Sequence, residues 1–231
     1  KRRYLPKLIT GEWAGTMVLT EPNAGSDLSG VATRAERAGD RYLISGQKIF
    51  ITYGDHDLTD NIIHLVLART AGPEAGTKGL SLFIVPKRTI NTDGSVGASN
   101  DVRCVSLEHK LGIHGSPTAL LSFGDTGACV GELIGEEGRG LEQMFVMMNE
   151  ARLSVGIQGL AIAERAYQGA LAYATERIQG RIAGDRGNAR RSIRFHPDVH
   201  RMLMTMRSTC EAMRGLALYA SQCMDLAESR G

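Results

Sequence analysis

Hydroxyl side chains and glycines follow the apolar runs of this chain in three places, where they could bind a ligand with a polar edge. Residues 20–27 read TEPNAGSD and follow the apolar run MVL at 17–19. Residues 46–52 read GQKIFIT, and residues 110–118 read KLGIHGSPT. Such residues end strands and form turns, but a plain turn needs only about two to five of them. The first loop is longer and rich in hydroxyls and backbone N–H groups, so it is predicted to hold a polar ligand.

The segments that position these loops have the pattern of short β-strands. From residue 13 to about residue 130 the apolar residues alternate or are β-branched, and turn-forming pairs separate the runs. Gly39-Asp40 and Ser45-Gly46 are typical of tight turns. Because no helical pattern lies between the runs, we expect an antiparallel barrel or sandwich rather than a parallel sheet. The predicted strands are MVLTEP, TRAERAGDRYLISGQKIFIT, NIIHLVLART, GLSLFIVP, DVRCVSLEHK and TALLSFGD.

From about Arg139 the apolar residues recur three and four apart, which predicts helix. No proline interrupts the segment up to Gln179, so one helix of about forty residues is expected, roughly 60 Å long at ~1.5 Å per residue. A second helix is predicted to begin at Pro197, since proline is favoured in a first helical turn. Its a and d positions form a seam, which fits a multi-helix bundle better than an isolated coiled coil. The seam residues are Val199, Leu203, Met206, Cys210, Met213, Ala217, Ala220, Met224 and Ala227.

The composition fits one or two ordinary soluble domains, with 42% apolar and 23% charged residues among 231. A formal net charge of +2 gives no overall attraction to nucleic acid or to a membrane surface. The cysteines share no CxxC spacing and are predicted to be reduced, buried thiols. They are Cys104, Cys129, Cys210 and Cys223. The sequence shows no signal peptide or long apolar run, and both termini are expected to be interior points of a longer protein.

Three motifs together resemble the acyl-CoA dehydrogenase flavoproteins in order and spacing. They are TEPNAGSD, the GQK strand that ends in Ile-Thr, and EARLSVGIQGLAIAERAYQGALAYATER. The resemblance covers essentially the whole chain. KLGIHGSPT and the QGR at 179–181 are most similar to the larger bacterial branch, which includes long-chain and methylmercaptopropionyl-CoA dehydrogenases.

The resemblance implies an α+β multidomain protein. Residues 1–12 would connect from an N-terminal helical domain outside the chain. Residues 13–136 would form the middle domain, an antiparallel β-barrel or sandwich that binds flavin and acyl-CoA. Residues 137–231 would form the first two long antiparallel helices of a C-terminal helical bundle, with its later helices outside the chain.

The family binds FAD and dehydrogenates an acyl-CoA thioester between its α and β carbons, so the resemblance implies the same here. Thr20, with Met17 and Leu19 nearby, resembles the residue that bonds the flavin pyrimidine edge. Thr52 resembles the threonine whose hydroxyl reaches flavin N5. Phe50 stands where the family often has Trp, and it would cover the ring face without the indole donor.

Further implied contacts involve the substrate and the far end of the cofactor. Ser26 resembles the serine that contacts cofactor phosphate or the CoA arm. Asn149 stands where many relatives have an Asp that contacts the CoA arm, and Arg152 where the family has an Arg near the substrate. Arg177 resembles the arginine that binds the flavin pyrophosphate of a neighbouring subunit, or it serves only as a cation at a helix C-terminus. Gln179 replaces the usual aromatic residue, so the ADP end of FAD is expected to be held differently.

The catalytic base is expected outside this chain. In the family it is usually a Glu after further C-terminal helices, which here would lie downstream of Gly231. Some relatives carry the base on the first long helix, where this chain has Ala151. Glu150 lies one residue away, about 100° of helix rotation, and is interpreted as solvated or salt-bridged. No residue is therefore assigned as catalytic, and Arg152 is an accessory candidate.

The resemblance also implies an electron-transfer flavoprotein as electron acceptor and a homo-oligomer, either a dimer or a tetramer. It implies the bacterial cytoplasm, or the mitochondrial matrix in a eukaryote, and neither a metal nor a membrane. Three alternatives stay open. One is an acyl-CoA oxidase, the second is a DNA-binding flavoprotein of the same fold, and the third is a β-sandwich interaction module without flavin. The arginines within residues 181–201 suggest the second, although a solvated loop or subunit contact explains them equally well.

Overall fold

The computed structural model describes residues 2–182, 184 and 190–230, which form two compact units that divide after Val146. The unit Lys1–Val146 carries the strands, and the unit Met147–Gly231 is helical. The division falls inside the first long helix, and the domain boundary at residue 136 stays a prediction. Arg186, part of the arginine-rich segment, lies outside the described residues.

The described part of the first unit is built mainly from strands. Their bounds are β1 Trp13–Val18, β2 Arg34–Ala38, β3 Arg41–Thr52, β4 Asn61–Arg69, β5 Leu80–Pro86, β6 Arg88–Ile90, β7 Val96–Ser99, β8 Val102–Leu107, β9 Thr118–Phe123 and β10 Val130–Ile134, preceded by a short helix α1, Leu5–Ile9. The sequence pattern did not predict β6, β7 or β10. The main sheet has the order β1-β4-β5-β10-β3-β9-β8, and β2 pairs with both β3 and β4. The predicted class, a β-sheet domain followed by long helices, is confirmed.

One pairing contradicts the expectation of an antiparallel sheet. β1 lies parallel to β4 along its whole length, from Trp13↔Asn61 to Val18↔Val66. The hairpin of β2 and β3 stands between these strands in sequence and brings the chain back in the same direction, as a helix does in most crossover connections. The lack of a helical pattern therefore did not exclude a parallel pair.

β3 serves two parts of the sheet, because its first half pairs with β2 and β10 and its second half with β9. The prediction of a turn at Ser45-Gly46 is wrong, since both residues lie inside β3. The turn at Gly39 is confirmed, with φ +69° between β2 and β3. Gly46 has φ +145°, and a Cβ there would lie 2.6 Å from Thr33 Oγ1. The glycine permits a close approach rather than a reversal of the chain.

The core of the first unit fixes the register of β3. Side chains of β3 alternate between buried and exposed from Arg41 to Lys48, and Tyr42 and Ile44 enter the main apolar cluster. β4 and β5 are buried at nearly every position. A slip of one residue in β3 would expose Ile44, whose burial contributes about 1.5–3 kcal/mol.

The two long helices that were predicted are present, and the second unit contains all of α3 and α2 from Met147 onward. α2 spans Gly140–Glu176, and α3 spans Pro197–Arg230 with Pro197 as its first residue. The a and d seam of α3 is buried or half-buried as far as Met224, whereas Ala227 is exposed. Arg214 on α3 donates from Nη2 to Glu164 Oε2 on α2 at 2.8 Å.

The cysteines are all free, as expected, but only two of them are buried. Cys129 and Cys210 are enclosed, Cys104 is half-buried, and Cys223 is exposed, contrary to the expectation of four buried thiols. Burial raises the pKa of the Cys129 thiol to about 12. No helix in the described ranges has the length and apolar character that a membrane span requires.

Candidate functional site

The end of β1 lies directly against β3, so two of the sequence motifs meet. The Ile49 N–H donates to the Thr20 carbonyl at 2.9 Å. The Lys48 ammonium donates to the Leu19 carbonyl at 2.8 Å. The loop TEPNAGSD therefore starts beside the last residues of GQKIFIT, as the resemblance requires if both motifs contact one ligand.

A buried ion pair, Lys48–Glu21, lies behind this junction. Lys48 Nζ is 2.9 Å from Glu21 Oε1, and the side chains are 0% and 7% exposed. Burial lowers the pKa of Lys48 to about 8, although Glu21 opposes that shift. Burial alone would raise the pKa of Glu21, but the Lys48 charge and hydrogen bonds from the chain at Thr33 and Ala32 lower it below its ordinary value. The lowered pKa favours the carboxylate form of Glu21, which lies within ion-pair distance of the Lys48 ammonium.

This pair was not predicted from the sequence, although the position of Lys48 is a signal for it. Lys48 falls on the inward side of an alternating strand, in phase with Tyr42 and Ile44. A charged residue in such a position is expensive unless it is paired. An inward lysine on a strand therefore predicts a buried carboxylate, and Glu21 is that carboxylate.

Phe50 lies on the surface, and its backbone has a positive φ within a β-bulge. The pairing of β3 with β9 shifts between Lys48 and Ile51, which marks a β-bulge. Within it Phe50 has φ +62°, a conformation that bulky residues adopt only where the surroundings impose it. The Phe50 side chain is 59% exposed. The bulge thus directs an aromatic ring outward from a strand whose preceding residues bury every second side chain.

The other predicted flavin contacts of the first unit are accessible to a ligand to different degrees. Thr52 is exposed at the end of β3, and Thr20 is half-buried. Met17 is exposed and Leu19 half-buried, on either side of the fully buried Val18. Ser26 is exposed in the loop after β1.

The third motif also reaches this end of β3. Thr118, the last residue of KLGIHGSPT, pairs with Thr52 across the β3–β9 ladder. Lys110 donates to the Ser116 carbonyl and, at 3.0 Å, to Thr118 Oγ1, so it ties the loop back onto the strand. The motifs TEPNAGSD, GQKIFIT and KLGIHGSPT therefore converge on the C-terminal half of β3.

A separate cavity of about 400 Å³ in the first unit was not anticipated. Its wall includes Arg69, which is 8% exposed. The guanidinium donates to four carbonyl oxygens, those of Ser29, Val31, Gly72 and Gly76, at 2.7–3.3 Å. Arg69 thereby ties two loops together and places a positive charge at the cavity wall.

Four predicted site residues belong to the second unit. Arg152 is exposed and donates from Nη1 to Asn149 Oδ1 at 3.0 Å, and it lines a cavity of about 290 Å³ between α2 and α3. Glu150 is exposed, as interpreted from the sequence. Arg177 and Gln179 are exposed just beyond the end of α2, which stops at Glu176.

The chain beyond α2 turns back on itself. The Arg177 N–H donates to the Tyr173 carbonyl and the Ile193 N–H to the Arg177 carbonyl, both at 2.8 Å. The Gln179 carbonyl lies 2.9 Å from His196 Nε2. These bonds engage the backbone of the predicted cofactor residues and leave the Arg177 and Gln179 side chains exposed.

The middle of the chain matches the model of a known family, and nearly its whole length matches several individual relatives. Residues 16–126 match the family described as acyl-CoA dehydrogenase, middle domain. The 3-methylmercaptopropionyl-CoA dehydrogenase of Ruegeria pomeroyi is 53% identical over 229 residues, which are 99% of this chain and 38% of that protein. The chain belongs to the acyl-CoA dehydrogenase family.

Solved structures of similar fold agree with this membership in the acyl-CoA dehydrogenase family. Butyryl-CoA dehydrogenase from Megasphaera elsdenii is 30% identical with a TM-score of 0.75, over 94% of this chain and 51% of that one. A structure described as the electron transferring flavoprotein of Acidaminococcus fermentans is 31% identical with a TM-score of 0.78, over 98% and 53%. The chain therefore spans about two fifths to about half of the length of these proteins.

Proposed function

We propose that the chain carries the flavin-binding part of an FAD-dependent acyl-CoA dehydrogenase, which removes an α-proton and a β-hydride from an acyl-CoA thioester. The observation that supports this most is the convergence of three motifs on the C-terminal half of β3. There the exposed Phe50 follows Ile49, which is bonded to the Thr20 carbonyl, and stands two residues before Thr52.

The residues present fit a flavin. A flavin is planar and apolar on its faces but polar along its pyrimidine edge, so it needs a stacking surface and hydrogen-bond partners. Phe50 offers an exposed aromatic face, while Thr20 and Thr52 offer hydroxyls. When bound, FAD supplies a hydride acceptor. The role of these residues is to hold its edge, to cover one face against water, and to keep N5 accessible to the substrate.

The first long helix carries no evident catalytic base at the position that some relatives use. Ala151 occupies the alternative position on the first long helix, and Glu150 is exposed. We therefore place the base outside residues 1–231. Ser26 and Asn149 are proposed to contact the CoA arm, and Arg152, bonded to Asn149, to lie near the substrate.

We further propose a homo-oligomer in which Arg177 binds the flavin pyrophosphate of a neighbouring subunit. Its exposed guanidinium suits a charge-assisted bond to phosphate. Arg177→Ala should then weaken FAD binding by ~1.5–3 kcal/mol, the range for a hydrogen bond to a charged group. Arg165→Ala, an exposed arginine on α2, is the control. Sedimentation together with flavin content tests both parts, and a monomer that retains its full FAD after Arg177→Ala would contradict them.

The decisive experiment on the flavin site uses the full-length protein and Thr52→Val. We expect an altered flavin absorption spectrum and slower anaerobic reduction by an acyl-CoA. Thr92→Val, an exposed threonine in the turn between β6 and β7, should change neither. A spectrum and a reduction rate equal to those of the wild type would remove Thr52 from the site.

Two alternatives are separated by direct assays. An acyl-CoA oxidase would form hydrogen peroxide in air, whereas the proposed dehydrogenase passes electrons to an electron-transfer flavoprotein. A DNA-binding flavoprotein would give a salt-dependent gel shift. The cytoplasm, or the mitochondrial matrix in a eukaryote, is the proposed location.

A further inference from the structure

The buried pair Lys48–Glu21 connects the elements that the proposed site uses. Lys48 donates to the Leu19 carbonyl, one residue before Thr20. The next residue of β3, Ile49, donates to the Thr20 carbonyl, and Phe50 follows in the bulge. Adjacent hydrogen bonds from Lys48 and Ile49 therefore hold the start of the loop after β1 beside the bulge.

Glu21 extends this connection to a second segment. Its Oε2 accepts from the Ala32 N–H at 2.7 Å and its Oε1 from the Thr33 N–H at 3.0 Å. Thr33 in turn packs against Gly46 of β3, where no side chain would fit. The loop of residues 20–31 is thus closed at its base by the Glu21 carboxylate, and Ser26 lies within that loop.

Stability alone does not account for such a pair. Two charges cost several kcal/mol each to bury, and well-packed apolar side chains of similar volume often serve a core as well or better. Apolar side chains could not reproduce the directed bonds to Leu19, Ala32 and Thr33. The ion pair therefore serves mainly to position the backbone at Leu19, Ala32 and Thr33, and not to add stability to the core.

We propose that Lys48 and Glu21 are positioning residues that fix Thr20 relative to Phe50 and Thr52, so that one flavin meets its edge donors and its stacking face together. The inference rests on the proposed function. It assigns the two side chains no contact with the flavin or the substrate, because both are enclosed.

The first test needs no cofactor. In the FAD-free full-length protein, Lys48→Met should raise the hydrogen-exchange rates of the Ile49, Ala32 and Thr33 amides by about tenfold or more, a factor equivalent to one net hydrogen bond. Lys87→Met is the matched control, because Lys87 also pairs with a carboxylate, Asp55, but its side chain is bonded neither to the loop of residues 20–31 nor to the bulge in β3. Unchanged exchange at these three amides would overturn the proposal.

The second test measures the flavin. Lys48→Met should weaken FAD binding by about tenfold and shift the absorption spectrum of the bound flavin, while Lys87→Met leaves both unchanged. Glu21→Gln/Lys48→Met removes both charges and serves if the single variant does not fold. Its FAD affinity and spectrum should move in the same direction. FAD binding and a spectrum equal to those of the wild type, in whichever of these variants folds, would show a purely structural pair and overturn the proposal.

These tests separate two kinds of failure. If the wild-type protein binds no FAD, the proposed function is wrong, and the exchange rates still decide whether the pair orders the loop of residues 20–31 and the bulge in β3. If the wild type binds FAD but the Lys48 variants match it, the function stands and the positioning role is wrong.

Discussion

Lys48 and Glu21 of the sheet unit are 0% and 7% exposed, whereas Arg207 and Glu211 of the helical unit form an ion pair that is 59% and 62% exposed. The buried pair connects segments far apart in sequence, and the exposed pair joins successive turns of α3. Water screens the exposed charges, so their attraction contributes little, while the buried charges depend on each other. A pair of a basic side chain and a glutamate therefore organises a loop in one unit and lies on the surface of the other.

Glycines of α2 show a similar contrast along a single helix. A Cβ on Gly140, in the first unit, would lie 2.3 Å from the Ser81 carbonyl carbon. A Cβ on Gly159, in the second unit, would meet nothing within 4 Å. The first glycine is required by packing against a strand, whereas the second only weakens a helix.

The comparison of ion pairs predicts the largest effect. Lys48→Met should destabilise the folded protein by about 3–5 kcal/mol, because it leaves the Glu21 charge buried without its partner. Arg207→Met should leave the unfolding midpoint unchanged. Urea unfolding followed by the fluorescence of Trp13, the single tryptophan and 1% exposed, measures the first change, and circular dichroism of the helices measures the second. Equal midpoint shifts in the two variants would contradict the claim that the buried pair matters more for stability than the exposed pair.

The comparison of glycines predicts a smaller effect with opposite signs. Gly140→Ala should destabilise by about 1–3 kcal/mol, since the backbone of Ser81 and Leu82 leaves no room for a methyl group. Gly159→Ala should stabilise α2 by up to about 1 kcal/mol through helix propensity. Urea unfolding followed by circular dichroism at 222 nm checks both. Stabilisation by Gly140→Ala would show that the start of α2 does not pack against β5 as described.

A buried histidine extends the comparison to pH. His64 is enclosed and bonded to Thr16 Oγ1 at 2.7 Å, and burial, with a contribution from Lys87, lowers its pKa from 6.5 to about 3. Between those values the unfolded chain binds a proton that the folded chain does not, so stability falls as pH falls. The slope is at most about 1.4 kcal/mol per pH unit.

His64→Gln should remove this slope and keep a partner for Thr16. We expect the difference in unfolding free energy between wild type and variant to change from pH 7 to pH 4, in favour of the variant at low pH. Urea titrations followed by Trp13 fluorescence measure it. Parallel stability curves over that range would show that His64 accepts a proton in the folded protein.

Much of the fold followed from residue patterns, because the alternation of β3 and the heptad spacing of α3 report which side of each element is covered. The start of α3 at Pro197 and the turn at Gly39 are local choices of backbone and were predicted correctly. The parallel pair of β1 and β4 was not, because pairing partners are chosen by the core and not by the residues of one strand. Ser45-Gly46 has the composition of a turn, but glycine is required at position 46 by the close approach of Thr33, which is a tertiary contact.

The candidate site divided in the same way. Exposed motif residues such as Thr20 and Thr52 could be named from a family resemblance, and the roles assigned to them stay predictions. The inward position of Lys48 indicates a buried carboxylate but does not indicate which one, and Glu21 lies among turn residues, so the buried pair behind them was missed. Arg69 was missed for the same reason, since its four acceptors are backbone carbonyls that leave no signature in the sequence.

Because the two halves of β3 pair with different strands, this strand tolerates few insertions or deletions. Its first half is registered against β2 and β10 and its second half against β9. An inserted or deleted residue near Gly46 would reverse the facing of every side chain on one half, so either Ile44 or Lys48 would turn outward. Insertions are expected to be tolerated in the turn between β6 and β7 but not between Tyr42 and Lys48. In a library of single-codon insertions across the domain, surviving clones should be depleted over those seven positions.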